Sequence, residues 1–214
     1  METKPRRTRK SPDDRRAEIA ATARAIALEE GLDAVTQRAV AGRASMASAL
    51  VAHYVESMDA LVADTFSEIV AEEIGEVREL VAAEPSATAG LVALIDAALD
   101  PQRQDVTSLW VQAWSLGRHN AALAAAVRLR MDEWLSIIRD AITAGAEAGA
   151  LRCDDVDGTA LHLLAMIDGL NAHELVHWGA GAAQGSITKR AAEGLLGLAP
   201  GALEAAADGA SARA

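Results

Sequence analysis

The residues with the plainest chemistry lie late in the chain. His173-Glu174-Leu175-Val176-His177 reads H-E-x-x-H. On a helix, two histidines four apart share a face and can hold one zinc ion, with the glutamate as the general base of a hydrolase. A catalytic zinc needs a third protein ligand. Trp178-Gly179 stands where a further histidine would be sought, and the next acidic residue, Glu193, lies beyond a glycine-rich break. His162 is on the same helical face, but 11 residues at a rise of 1.5 Å put it about 16 Å away. No segment alternates at period two, so no strand is there to present an extended substrate. A zinc-dependent hydrolase is therefore the lesser reading, and a polar stripe at a helix–helix or dimer contact serves the same residues. No catalytic residue, metal or other cofactor is expected.

The elements that would position such residues are helices throughout. The chain has 214 residues, 51% hydrophobic and only 3% aromatic, with alanine abundant. That suits close-packed helices more than sheets. No run of about 18 apolar residues escapes interruption by charge, so no membrane span is predicted. The basic N-terminus lacks a following apolar region and does not read as a secretory signal. Cys153 is the only cysteine, which rules out an intrachain disulfide, and a reducing, cytoplasmic setting is the expectation. The net charge of −11 is unevenly spread: residues 1–58 carry 10 Lys+Arg against 8 Asp+Glu, and the remainder 10 against 23. A basic front on an acidic body can still meet a phosphate backbone, because such contacts are screened beyond about 10 Å.

Residues 1–10 (METKPRRTRK) read as a disordered basic arm, either solvated or lying along phosphates. Ser11-Pro12-Asp13-Asp14 is a strong helix start, and Gly31 a stop, giving a helix from Pro12 to Glu30. Thr36 can cap a short helix carrying Val40 and Ala41. Gly42 to Met46 read as a break, after which Ala47 or Ser48 opens a second short helix with Leu50, Val51, Tyr54 and Val55 at helical spacing. Two short helices crossing on small residues form a helix-turn-helix. Further helices are predicted from Ser57 to Ala83, Ser86 to Leu99, Thr107 to Arg118, Asn120 to Glu147, Asp154 to about Trp178, and Ser186 to Leu198. Trp110 and Trp114, four apart, share one face. The organisation is thus all-α: an arm over 1–10, a three-helix head over 11–56, a helical body over 57–200, and a frayed tail over 201–214.

The head resembles that of the tetracycline-repressor (TetR) family of transcriptional regulators. The resemblance rests on Glu29-Glu30-Gly31, on Thr36, on Val40-Ala41, and on Val51-Ala52-His53-Tyr54-Val55-Glu56-Ser57-Met58-Asp59-Ala60-Leu61. His53-Tyr54, and Leu161 to Leu170 (LHLLAMIDGL), are most similar to the branch of repressors associated with choline and betaine metabolism. The departures from the pattern are Ser45 for the turn glycine, Ala49 for a small glycine, Ala52 for a phosphate-binding tyrosine and Met58 for a phosphate-binding lysine. Each lost ionic phosphate contact lowers the salt dependence of DNA binding by about one power and weakens it regardless of sequence. The arm, Arg38 and Arg43 would have to compensate.

The resemblance implies a ligand-responsive regulator, most often a repressor, that binds a palindromic double-stranded DNA operator as a homodimer. By position, Arg38, Ser48 and Leu50 would face the bases, with Arg38 able to fork onto a guanine and Leu50 able to touch a thymine methyl, and Gln37 and Ala47 would belong to the DNA-binding surface. Thr36, His53, Tyr54 and Arg15 or Arg16 would hold phosphates, although Thr36 also suits a cap and Tyr54 a small core. An unknown small-molecule effector would sit among Trp110, Trp114, Met131, Trp134, His162 and Met166, apolar walls with a few polar tips that equally suit ordinary core. Ala165 and Gly169 would allow close approach of a second copy, with His173 and His177 on the same contact. The remaining alternative is a helical dimer that has lost DNA binding.

Overall fold

The computed structural model describes residues 10–179 and 184–211; the basic arm over 1–9 lies outside them. The described residues form ten α-helices and no strand. Most helices begin where the sequence supplies a cap. Helix α1 (Pro12–Glu30) opens with a reciprocal pair, in which Ser11 Oγ accepts from the Asp14 amide at 3.1 Å and the Asp14 carboxylate accepts from the Ser11 amide at 3.0 Å. It ends at Gly31, whose φ of +101° only glycine adopts cheaply; a Cβ there would also collide with the Gln112 side chain. A 3₁₀ turn over Leu32–Ala34 follows.

Helix α2 (Gln37–Arg43) is capped by Thr36, and α3 (Ser48–Tyr54) follows a four-residue turn. The turn begins at Ala44 rather than at Gly42, which lies inside α2. Its left-handed residue is Ser45, at φ +51°. A side chain in that region costs roughly 1–2 kcal/mol, so the fold tolerates a strained serine where the family pattern has glycine. Helix α3 buries Val51 and nothing else fully.

The two longest helices, α4 (Met58–Ala83) and α7 (Ala121–Glu147), pack along each other and form the spine of the body. Against them lie α5 (Ala87–Ala98), α6 (Gln104–Leu116) and α8 (Val156–Glu174). A 3₁₀ turn over Pro101–Arg103 leads straight into α6, which therefore starts three residues earlier than the expected Thr107. One apolar core runs from Ile19, Val40 and Val51 in the head to Phe66, Ile95, Ile138 and Leu163 in the body. Phe66 is fully buried, and burial of a side chain that size contributes about 2–3 kcal/mol.

Two expectations fail at the C-terminal end. Helix α8 stops at Glu174, not near Trp178: His177 takes φ +54° and Gly179 φ +95°, and the His173 carbonyl accepts from the Trp178 amide. The tail is not frayed over its whole length either. After α9 (Gln184–Leu195), helix α10 (Ala202–Ser211) packs on α5 and α9. Its start is held by the buried Glu193, whose carboxylate accepts from the Gly201 and Leu203 amides, both at 2.9 Å. Leu203 is fully buried. A free tail of alanines and glycines is favourable only while nothing caps it, and Glu193 does so from ten residues upstream. No helix among the described residues is long and apolar enough to cross a membrane.

Candidate nucleic-acid interface and effector cavity

The head exposes its second short helix. Ser48, Ala49, Ala52 and His53 are exposed and Leu50 is half-buried. Gln37 Nε2 donates to the Ser48 carbonyl at 2.8 Å, joining the start of α2 to the start of α3. Thr36 Oγ1 accepts from the Ala39 amide at 3.2 Å, so both Thr36 and Gln37 hold the unit together. Ala47 begins α3 with no side-chain cap. Tyr54 is half-buried between the edge of the His53 ring, 5.0 Å away, and the Arg16 guanidinium, 5.9 Å from its ring centre. It thereby fastens α3 to α1.

The cations of the head are mostly paired. Arg15 meets Glu18 at 2.8 Å, Arg16 meets Asp13 at 2.9 Å and Lys10 meets Glu18 at 2.6 Å. Arg43, expected as a substitute DNA contact, is instead held by Glu29 and Glu30 at the end of α1. Arg38 is exposed, and no ion pair is formed by it among the described residues.

The body contains a cavity of about 40 Å³ walled by α4 to α8. Trp110 and Trp114 stand on α6, their ring centres 6.1 Å apart, with Met131 and Trp134 opposite on α7. The edge of Phe66 packs on Trp110 at 5.1 Å. Two carboxyls line the same space, Glu73 from α4 and Asp168 from α8, and among the described residues no lysine, arginine or histidine does. Burial pushes Glu73 up to about 7, opposed by the Trp110 indole N–H at 3.4 Å and by the charge of Arg103. Burial alone pushes Asp168 up to about 6. Arg103 is itself committed to Glu76, 3.0 Å away. The Trp114 Nε1 is shielded and has no hydrogen-bond partner.

Four of the six residues expected to hold an effector line this cavity. Trp110, Trp114, Met131 and Trp134 converge, but His162 is exposed and Met166 lies off the cavity. Helix α8 turns Leu164, Ile167, Asp168 and Asn171 inward, and residues two places from Leu164 point roughly 160° away at 100° per residue. The polar lining residues missed are Glu73, Thr107, Asp168 and Asn171. The signal was present for the acids, since Glu73 and Asp168 fall within the buried stripes Val70-Ile74-Val77 and Leu164-Ile167. A carboxylate at a core position is rarely there for stability.

The outer face of α8 carries Leu161, 56% exposed, and below it Ala165 and Gly169. A Cβ at Gly169 would meet nothing within 4 Å. Beyond them His173, Val176 and Trp178 are exposed, the rings of His173 and Trp178 meeting at 4.7 Å. His177 sits past the end of the helix, so the one-turn spacing that a zinc pair on one helical face requires is not realised. Glu174 receives a hydrogen bond from Gln184.

Head and body are coupled through α6. Gln112 Oε1 accepts from the Leu32 amide at 2.7 Å, and its Nε2 donates to Ser108 Oγ at 3.1 Å. The helix that carries Trp110 and Trp114 therefore also holds the turn leading into Thr36.

Residues 87–197 match the family described as BetI-type transcriptional repressor, C-terminal. Among solved structures, a chain from Saccharomonospora viridis assigned as a transcriptional regulator, in complex with choline, superposes with a TM-score of 0.73 at 21% identity, over 83% of this chain and 94% of that one. A TetR transcription regulator from Haloarcula marismortui gives 0.71 at 18%, over 86% and 97%. The regulator FadR from Bacillus subtilis, in complex with stearoyl-CoA, gives 0.65 at 17%, over 81% and 95%. At these identities the likeness speaks for the fold. No curated protein sequence matches the chain significantly.

Proposed function

This chain belongs to the TetR family of transcriptional regulators, with a BetI-type C-terminal domain, and from that premise we propose that it is a homodimeric repressor whose DNA binding is released by an organic cation held in the body cavity. The observation that carries the effector class is the lining: three tryptophans, two half-buried carboxyls and, among the described residues, no base. Aromatic faces attract cations, more strongly where water is excluded, and the acids supply the countercharge. The choline held by the Saccharomonospora viridis structure is of this class. An acyl-CoA, as in the Bacillus subtilis structure, would bring phosphates to a cavity with two acids and no cation to receive them.

The DNA reading is supported by the exposed α3 and by Arg38 beside its start. Arg16 would exchange the exposed Asp13, and Arg15 the half-buried Glu18, for phosphates, and the exposed exchange costs little because surface ion pairs are weak. The dimer reading is supported by the apolar and small residues on the outer face of α8, with Ile187 on α9, 44% exposed, adding to it. Two heads would then read half-sites about one helical turn apart or more. Release needs an effector that binds the head-displaced state better than the DNA-bound one, and α6 with Gln112 is the path by which widening the cavity would reach the head.

Electrophoretic mobility shift with the full chain, at low salt, on the promoter region of its own gene tests the reading. A shift that choline or another small organic cation reverses is the expected result. The absence of a shift with folded, dimeric protein would leave a helical dimer without DNA binding.

A further inference from the structure

The cavity holds one feature that a single positive charge does not answer. Its two carboxyls come from helices on different sides: α6 and α7 pack against both α4, which carries Glu73, and α8, which carries Asp168, and so stand between them. Among the described residues neither carboxyl has a basic partner lining the cavity, and Arg103, whose charge acts on Glu73, is paired with Glu76. Asp168 therefore bears its burial cost alone and Glu73 has its own offset only in part by Trp110 and Arg103, and a monovalent cation relieves one of them only. The space is also narrow, with room for about three water molecules. A methylene chain threads such a space with less displacement of the walls than a trimethylammonium head.

We propose that the cavity selects a ligand with a positive charge at each end, a short aliphatic diamine, with one ammonium at Glu73, the other at Asp168, and the hydrocarbon between them along Trp110, Trp114 and Trp134. This rests on the reading of the cavity as the site of a cationic effector and narrows its class. Asn171 serves the Asp168 end by position: its amide donates to the Ala98 carbonyl at 2.9 Å and fixes α8 against the end of α5. Selection follows from electrostatics in a desolvated site, where each buried acid left without a partner penalises the wrong ligand.

The test is titration of the full-length protein, by calorimetry and by tryptophan emission, with putrescine, cadaverine, n-butylamine and choline. Three of the four tryptophans line the cavity; Trp178 is exposed, and Trp178→Phe removes its background. A diamine is expected to bind about tenfold or more tighter than n-butylamine and choline, the margin of one additional charge pair. Glu73→Gln and Asp168→Asn should each bring the diamine down to the monoamine level, with cooperative thermal unfolding retained as the control of folding. Choline or n-butylamine binding as tightly as the best diamine overturns the two-charge proposal and leaves the cationic effector standing; a hydroxyl taken up by the Trp114 indole would then explain a preference for choline. If none of the four binds, the cationic-effector reading falls with it.

Discussion

The head and the body treat charge in opposite ways. In the head, cations lie at or near the surface and most are paired: Arg15 with Glu18, Arg16 with Asp13, Arg43 with Glu29 and Glu30. In the body cavity, two carboxyls are half-buried, and no cation lines the space with them among the described residues. Exposed pairs form and exchange at little cost, so they say little about stability and leave the head free to trade carboxylates for phosphates. Half-buried acids without an ion-pair partner carry a desolvation cost, and such groups mark candidate binding sites. On the proposed function, the difference would separate a surface that meets a large, highly charged partner from a cavity that takes a small one.

The sharpest way to break this comparison is by pH. Glu73 rises from an ordinary 4.5 to about 7 on folding, so between those values the folded chain keeps a proton that the unfolded chain has released. The sign follows: this contribution is fully present below about pH 4.5 and is lost as pH rises through about 7. The groups facing Glu73 are Trp110, Arg103, Glu76 and Asp105, and none outweighs its burial. Thermal unfolding temperature should fall from about pH 5 to about pH 8, and Glu73→Gln should flatten that slope, with a gain at the upper end of up to about 3 kcal/mol at 1.36 kcal/mol per pKa unit. A slope unchanged by the substitution would mean that Glu73 is solvated and the contrast with the head illusory.

On the head side, Arg38→Ala should cost about 1–3 kcal/mol of operator affinity and relax the preference at one base position, measured by fluorescence anisotropy across single-base operator variants. A uniform loss across those variants would make Arg38 a phosphate contact instead. Between the two regions, Gln112→Ala leaves the Leu32 amide without its partner and should cost about 1–3 kcal/mol of stability in denaturant unfolding. The same variant should bind DNA and yet release it less readily when the cation is added.

Smaller effects remain. Ser45→Gly should stabilise the head by about 1 kcal/mol, since the residue already sits at φ +51°. Arg16→Ala should change stability by less than about 1 kcal/mol, because its partner Asp13 is almost fully exposed. It should instead reduce the slope of log affinity against log salt by about one. A stability loss much larger than that would show that the Arg16–Tyr54 contact, not the ion pair, is what the head needs.

The helices themselves were legible because their signals are local. Ser11, Thr36, Ser57, Ser86, Asn120 and Asp155 each precede the helix they cap, and each accepts from an amide three residues on. Where the deciding contact came from elsewhere, the reading failed. The H-E-x-x-H spacing promised a shared helical face, but the chain leaves the helix after Glu174. The tail looked free because Glu193, which caps α10, is distant from it in kind as well as in position. His162 looked like lining because histidine among apolar residues draws the eye, whereas its register on α8 turns it outward.

What the sequence determined by itself was the all-α architecture, the helix-turn-helix at Thr36 to Tyr54 and the likeness of the head to the TetR family, since caps, periodicity and motif spacing act within a few residues. What only the tertiary structure decided was which charges are paired and which are stranded. Arg43 finds Glu29 and Glu30 across the head, Gln112 finds Leu32 from 80 residues away, and Glu73 and Asp168 meet one cavity from separate helices. The cost of a charge depends on the solvent and partners around it, and neither is fixed until the helices have packed.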